Sequence, residues 1–163
     1  MRNLVLLFAV TFLFALPALS QATTGSRSLD VVKLDVKQGV DFPAAKLDVM
    51  TGEIVDELTK LKKFSAVNSV AAPGATGSEL VFTGTITDYT GGNRAARYLI
   101  GFGAGKAKVV AQIKIVERST GTVLLDRKVD GKVIMGLFGG NTNGATRGLA
   151  KEVAKETKKA LFK

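Results

Sequence analysis

The chain contains no cysteine, no histidine and no tryptophan, and only 3 prolines among its 163 residues. Each absence removes a chemistry. Without cysteine there is no disulfide, no thiol nucleophile and no lipid-bearing Cys; without histidine there is no imidazole-ligated metal and no His-based triad. The Ser–Lys alternative is missing too, because Ser26, Ser28, Ser65, Ser69, Ser78 and Ser119 all lack a lysine three positions on. A hydrolase working on carboxylates alone is the enzyme class left open, and no pair is well spaced for it. Asp126 and Asp130 share a strand face at about 13 Å, too far apart for either glycosidase geometry. The sequence therefore reads as a non-enzyme, with no catalytic, metal-ligating or cofactor-binding residue.

What is present is a 46% hydrophobic chain of a length that suits one domain with a real core. Its first twenty residues read as an export signal. Arg2 gives a positive start, Leu4 to Leu16 is almost unbroken Leu/Val/Phe/Ala, Pro17 ends the run, and Ala18-Leu19-Ser20 supplies small residues for a signal peptidase. The run falls short of the ~20 residues a spanning helix needs. Cleavage after Ser20 is expected, with Ala22 as second choice, which places the mature protein in a periplasm or outside the cell. The expected domains are a signal peptide over 1–20, a polar tether over 21–28 and a single α+β domain over 29–163.

The formal charge of +9 is unevenly spread: residues 21–93 hold 7 Lys/Arg against 9 Asp/Glu, and residues 94–163 hold 15 against 5. A basic half attracts anions. In an envelope these are lipid headgroups, surface phosphates or acidic proteins, and the export signal argues against nucleic acid. The plain alternative is solubility through solvated lysines.

Hydrophobic periodicity sets the elements. Leu29 to Val36 reads as a strand, and Asp41-Phe42-Pro43 as a helix entry, with proline tolerated in a first turn. Leu47, Met50, Ile54, Leu58 and Leu61 form a helical stripe. The carboxylates Glu53, Asp56 and Glu57 on that helix read as a solvated face rather than a metal site, because no second cluster completes them. Phe64 to Ala72 reads as a strand and 73–78 as a loop. Alternation over Leu80–Tyr89 and Lys106–Arg118 gives two more strands, and Ser119-Thr120-Gly121 turns into a strand over Thr122–Val129. Gly144 to Phe162 is an amphipathic helix with Leu149, Val153 and Leu161 apolar, and Ala150, Ala154 and Ala160 beside them. The expected fold class is α+β, order β-α-β-β-β-β-α: a mainly antiparallel sheet of about five strands with two helices on one face and a Thr/Lys-rich open face on the other.

Two apolar, glycine-rich segments stand apart. One spans Tyr98-Leu99-Ile100-Gly101-Phe102-Gly103-Ala104-Gly105-Lys106, preceded by Arg94 and Arg97; the other spans Val133 to Gly140 and includes Leu137, Phe138, Gly139 and Gly140. Meander geometry sends both from one end of the sheet and brings Phe102 and Phe138 together. A phosphate loop fails, because Ile100 stands where a glycine is needed and Ala107 where Ser or Thr is needed. A dinucleotide fingerprint fails because a strand follows instead of a helix. No nucleotide is expected. The segments serve bulges and tight packing, a protein-interaction patch, or contact with a membrane surface. Candidate interaction residues are Arg94, Arg97, Tyr98, Gly101, Phe102, Gly103, Gly105, Lys106, Leu137, Phe138, Gly139 and Gly140.

The runs Gly84-Thr85-Ile86-Thr87-Asp88-Tyr89, Gly92-Asn93-Arg94-Ala95-Ala96-Arg97-Tyr98-Leu99, Gly101-Phe102-Gly103-Ala104-Gly105-Lys106-Ala107 and Thr120-Gly121-Thr122-Val123-Leu124 resemble a family of exported bacterial proteins, domain of unknown function family 4410. That resemblance covers most of 29–163 and implies an envelope location and a small α/β domain, but no catalytic residues. It also implies a layout similar to the periplasmic domains of curli-secretion and penicillin-binding-protein-activator lipoproteins. Many relatives carry a lipid-modified Cys, which this chain lacks. The function expected is a non-enzymatic interaction domain that binds an envelope protein through its glycine-rich end or basic half. The alternative is a peripheral binder of anionic membrane or envelope glycan.

Overall fold

A computed structural model describes residues 26–91, 107–132 and 142–162. Among these residues, six strands and two helices follow in the order β1 (Leu29–Val32), β2 (Asp35–Val36), α1 (Ala45–Lys60), β3 (Val67–Val70), β4 (Leu80–Thr90), β5 (Lys108–Glu117), β6 (Val123–Lys132) and α2 (Thr142–Leu161). They build one sheet in the order β3-β1-β4-β5-β6, with the short β2 beside β4. The α+β class, the long hairpin and the helix pair agree with the periodicity, and the strand count differs. The expected first strand breaks at Lys33-Leu34, because Leu34 turns inward and packs against Gly84. The expected 64–72 strand shortens to four residues.

The sheet is mixed. β4, β5 and β6 form an antiparallel meander with ten and nine paired positions. β1 runs parallel to both of its neighbours, β3 and β4. The parallel pair follows from the helix between them: a chain that leaves β1 upward and returns along α1 must start β3 at the same end as β1. Turn bonds from Lys46 and Leu47 to the carbonyls of Pro43 and Ala44 start α1, and the buried Thr51 donates its hydroxyl to the Leu47 carbonyl at 2.8 Å.

Both helices cover the same face. Met50, Ile54 and Leu58 of α1 and Leu149 and Val153 of α2 join Leu29, Val31, Phe82, Ile86, Val109, Ile113 and Ile115 in one fully buried core. Burial of each such side chain contributes roughly 1.5–3 kcal/mol. Ala160 does not flank this core as expected; it lies exposed where α2 runs past the sheet. On the opposite face Val32, Val70 and Val81 form a small second cluster, while Thr83, Thr85, Gln112 and Lys114 are half-exposed or exposed.

Candidate functional site

Every residue the sequence singled out for interaction, from Arg94 to Lys106 and from Leu137 to Gly140, lies outside the described residues. Their attachment points are described. Thr90 at the end of β4 pairs with Lys108 at the start of β5, and Lys108 pairs with Lys132 at the end of β6. Three strand ends therefore stand side by side, and the chain leaves or enters the sheet at all three. At this end Phe42 packs edge-on against Tyr89 with ring centroids 5.0 Å apart, and Lys108 lies 3.5 Å from Asp88. Both helices begin here, linked by a 2.6 Å hydrogen bond that the Lys46 ammonium donates to Asn143.

Of the basic half, α2 carries five cations. Arg147, Lys151, Lys155, Lys158 and Lys159 are all exposed. Lys155 and Lys159 lie within 3.0 Å of Glu152 and Glu156, one helical turn back. The hydrogen bond to Glu152, with its charge, raises the Lys155 pKa. The hydrogen bond from Lys159 lowers the Glu156 pKa against a small opposing effect of burial. Such exposed pairs are worth little to stability.

The acidic residues do not converge. Glu53 is half-buried against Arg147 at 3.8 Å, Glu57 pairs with Lys60 at 2.8 Å, and Asp56 points to solvent. Asp126 is held by Lys114 at 3.6 Å and by the Gln112 amide. No group of three His, Cys, Asp or Glu gathers among the described residues, and none of their helices is long and apolar enough to cross a membrane.

Sequence reasoning missed two features. The first is a buried charge. Asp30, fully enclosed in β1, accepts hydrogen bonds from the Thr76 hydroxyl at 2.6 Å, the Asn68 amide at 3.4 Å and the Arg118 guanidinium at 2.8 Å. Burial pushes the Asp30 pKa up, but the bonds from Thr76, Ser78 and Asn68 and the charge of Arg118 outweigh it, and the net shift is downward. An aspartate inside the apolar Leu29–Val32 strand was the available signal. The second is at the far end of the helices, where Phe64 and Phe162 meet edge-on with centroids 5.2 Å apart. Beside them is a shallow depression of about 720 Å³ walled by Lys155, Lys158, Lys159 and Phe162.

The profile of one family, described as Domain of unknown function (DUF4410), matches residues 34–137. The chain belongs to that family. No curated protein matches it. Solved structures share the fold of this DUF4410 chain at low identity. The PelC dodecamer of Paraburkholderia phytofirmans is 14% identical, with a TM-score of 0.55 over 78% of this chain and 86% of that one. A hypothetical protein of Chlamydia trachomatis is 7% identical, with a TM-score of 0.57 over 85% and 99%. A Xanthomonas campestris protein of family DUF330 is 13% identical, with a TM-score of 0.52 over 82% and 83%. The layout expected from the family resemblance, that of curli-secretion and penicillin-binding-protein-activator domains, is not confirmed by these comparisons.

Proposed function

We propose that this DUF4410 chain is a non-enzymatic interaction domain of the bacterial envelope. It is exported by the leader at 1–20 and captures an envelope protein through the end of the sheet where the glycine-rich segments attach. The observation that carries this reading is the register Thr90–Lys108–Lys132, which anchors both segments on three adjacent strand ends. Arg94, Arg97, Tyr98, Gly101, Phe102, Gly103, Gly105, Lys106, Leu137, Phe138, Gly139 and Gly140 are the residues proposed to make the contact. Apolar, glycine-rich sequence with Arg94, Arg97 and Lys106 beside it in the chain suits a protein partner with an acidic border. PelC, similar in fold, is a dodecamer, so a second copy of the chain is one partner the experiment can reveal.

The test is crosslinking in the native envelope with the wild-type chain and with Phe102→Ala and Phe138→Ala. Each substitution should abolish a specific crosslinked species and leave the thermal midpoint nearly unchanged. If either instead destabilises the fold by ~3–5 kcal/mol, as buried Phe→Ala changes do, the segments are core and the reading fails.

A further inference from the structure

The opposite end of the domain carries a different chemistry. The two helices run parallel: Lys46 meets Asn143 where they begin, and Phe64 meets Phe162 just beyond their ends. Both C-termini therefore open on one surface. α1 delivers Lys62 and Lys63 there, and α2 delivers Lys158 and Lys159, all exposed. Among the described residues Lys62, Lys63 and Lys158 have no carboxylate partner, and Lys159 is tied only to Glu156 on its own helix. A helix C-terminus favours cations by itself, but that need is met in the last turn by Lys60 in α1 and by Lys158 and Lys159 in α2. Lys62 and Lys63 lie beyond it.

Two further observations give this surface a direction. The half-buried Phe64 and Phe162 rings sit among the lysines, and Phe162 with the aliphatic stems of Lys155, Lys158 and Lys159 walls the depression. Cations around an apolar floor match a phosphate headgroup and the glycerol region beneath it. The chain also enters the domain here. The Ser26 hydroxyl donates to the Lys63 carbonyl at 2.9 Å, and the Ser65 amide donates to the Arg27 carbonyl at 3.1 Å. Residue 26 is ten positions past the end of the apolar run Leu4–Leu16 in sequence. The start of the domain, the part nearest that run in sequence, therefore lies at this surface.

We propose that the helix-end surface, centred on Lys62, Lys63, Lys158 and Phe162, docks the domain on an anionic phospholipid bilayer. The glycine-rich end then points away from the membrane. This inference stands apart from the partner-capture reading, because it uses the other end of the sheet and none of the same residues.

The protein as exported by its host is sedimented with vesicles of phosphatidylglycerol and phosphatidylcholine, and with phosphatidylcholine alone. Binding should require the anionic lipid and weaken steeply as salt rises from 0.05 to 0.3 M. Each lysine at such a surface is worth roughly fivefold in affinity. The triple variant Lys62→Gln, Lys63→Gln, Lys158→Gln should therefore bind about a hundredfold more weakly, and Lys158→Gln alone about fivefold. A second triple variant, Lys37→Gln, Lys108→Gln, Lys128→Gln, removes the same charge elsewhere and should bind like wild type. No binding to anionic vesicles overturns the proposal, as does equal binding to phosphatidylcholine alone. So does an equal loss in both triple variants, which would make net charge the cause. Binding to a soluble polyanion with the same lysine dependence, but not to vesicles, overturns it in favour of an envelope polymer.

Discussion

Asp30 is the residue whose chemistry departs furthest from its surroundings. Its neighbours in β1 pack into apolar clusters on the two faces of the sheet, while its carboxylate is enclosed by side chains from β3, the loop after it and the end of β5. Arg118 also donates to the Ser78 carbonyl at 2.6 Å, so one guanidinium ties the loop to both the strand and the charge. Because the fold holds Asp30 ionised below its ordinary value of 3.8, its contribution is fully present above that value. It is lost as the pH falls through the lower folded value. Asp30→Asn should therefore flatten the stability profile in the acid range measured by urea unfolding. Near neutral pH it should cost about 2 kcal/mol, less than the 3–5 kcal/mol of a fully buried pair, since Arg118 keeps 32% of its side chain in water. A wild-type profile with no acid limb assignable to Asp30 would remove this network from the account of stability.

At the scale of elements, α2 is seated on β6 through one glycine. A Cβ on Gly131 would lie 2.3 Å from the Ala145 carbonyl oxygen and 2.5 Å from the Leu149 amide nitrogen, both backbone atoms that cannot swing aside. Gly131→Ala should lift the first turns of α2 and cost about 3 kcal/mol or more. Gly121→Ala, at φ +70° but with open space around it, should cost only ~1 kcal/mol of backbone strain. Chemical denaturation of the two variants separates close packing from conformation, and equal costs would refute the seat. Neither contact was legible in sequence, since it depends on which helix crosses which strand. The periodic elements were legible. The Leu47–Leu61 stripe and the alternation of β5 state their own buried faces, because each needs only a local repeat. The break at Leu34, the parallel β1–β3 pair and the Asp30 enclosure join residues far apart in the chain, and no local pattern encodes them. Of the candidate surfaces, the glycine-rich segments stood out by composition. The Phe64–Phe162 end did not, because its two halves lie about a hundred residues apart in the chain.

The whole molecule has two unlike ends set by its connectivity. β1, β3, β4 and β6 run toward the end where Thr90, Lys108 and Lys132 align, and both helices run back from it. A 20-residue α2 separates the ends by roughly 30 Å, well beyond the ~8 Å Debye length at physiological salt. If the glycine-rich segments act at the end where they attach, substitutions in them and at the helix ends are independent, and their effects should add. Combining Phe102→Ala with the Lys62, Lys63, Lys158 triple should reproduce both single losses, of partner crosslinking and of vesicle binding, to within about twofold. Partner capture measured in solution, without membrane, should be unaffected by the lysine changes. If the lysine triple abolishes capture there as well, both activities belong to one continuous surface, and the two-ended arrangement is wrong even though each end binds.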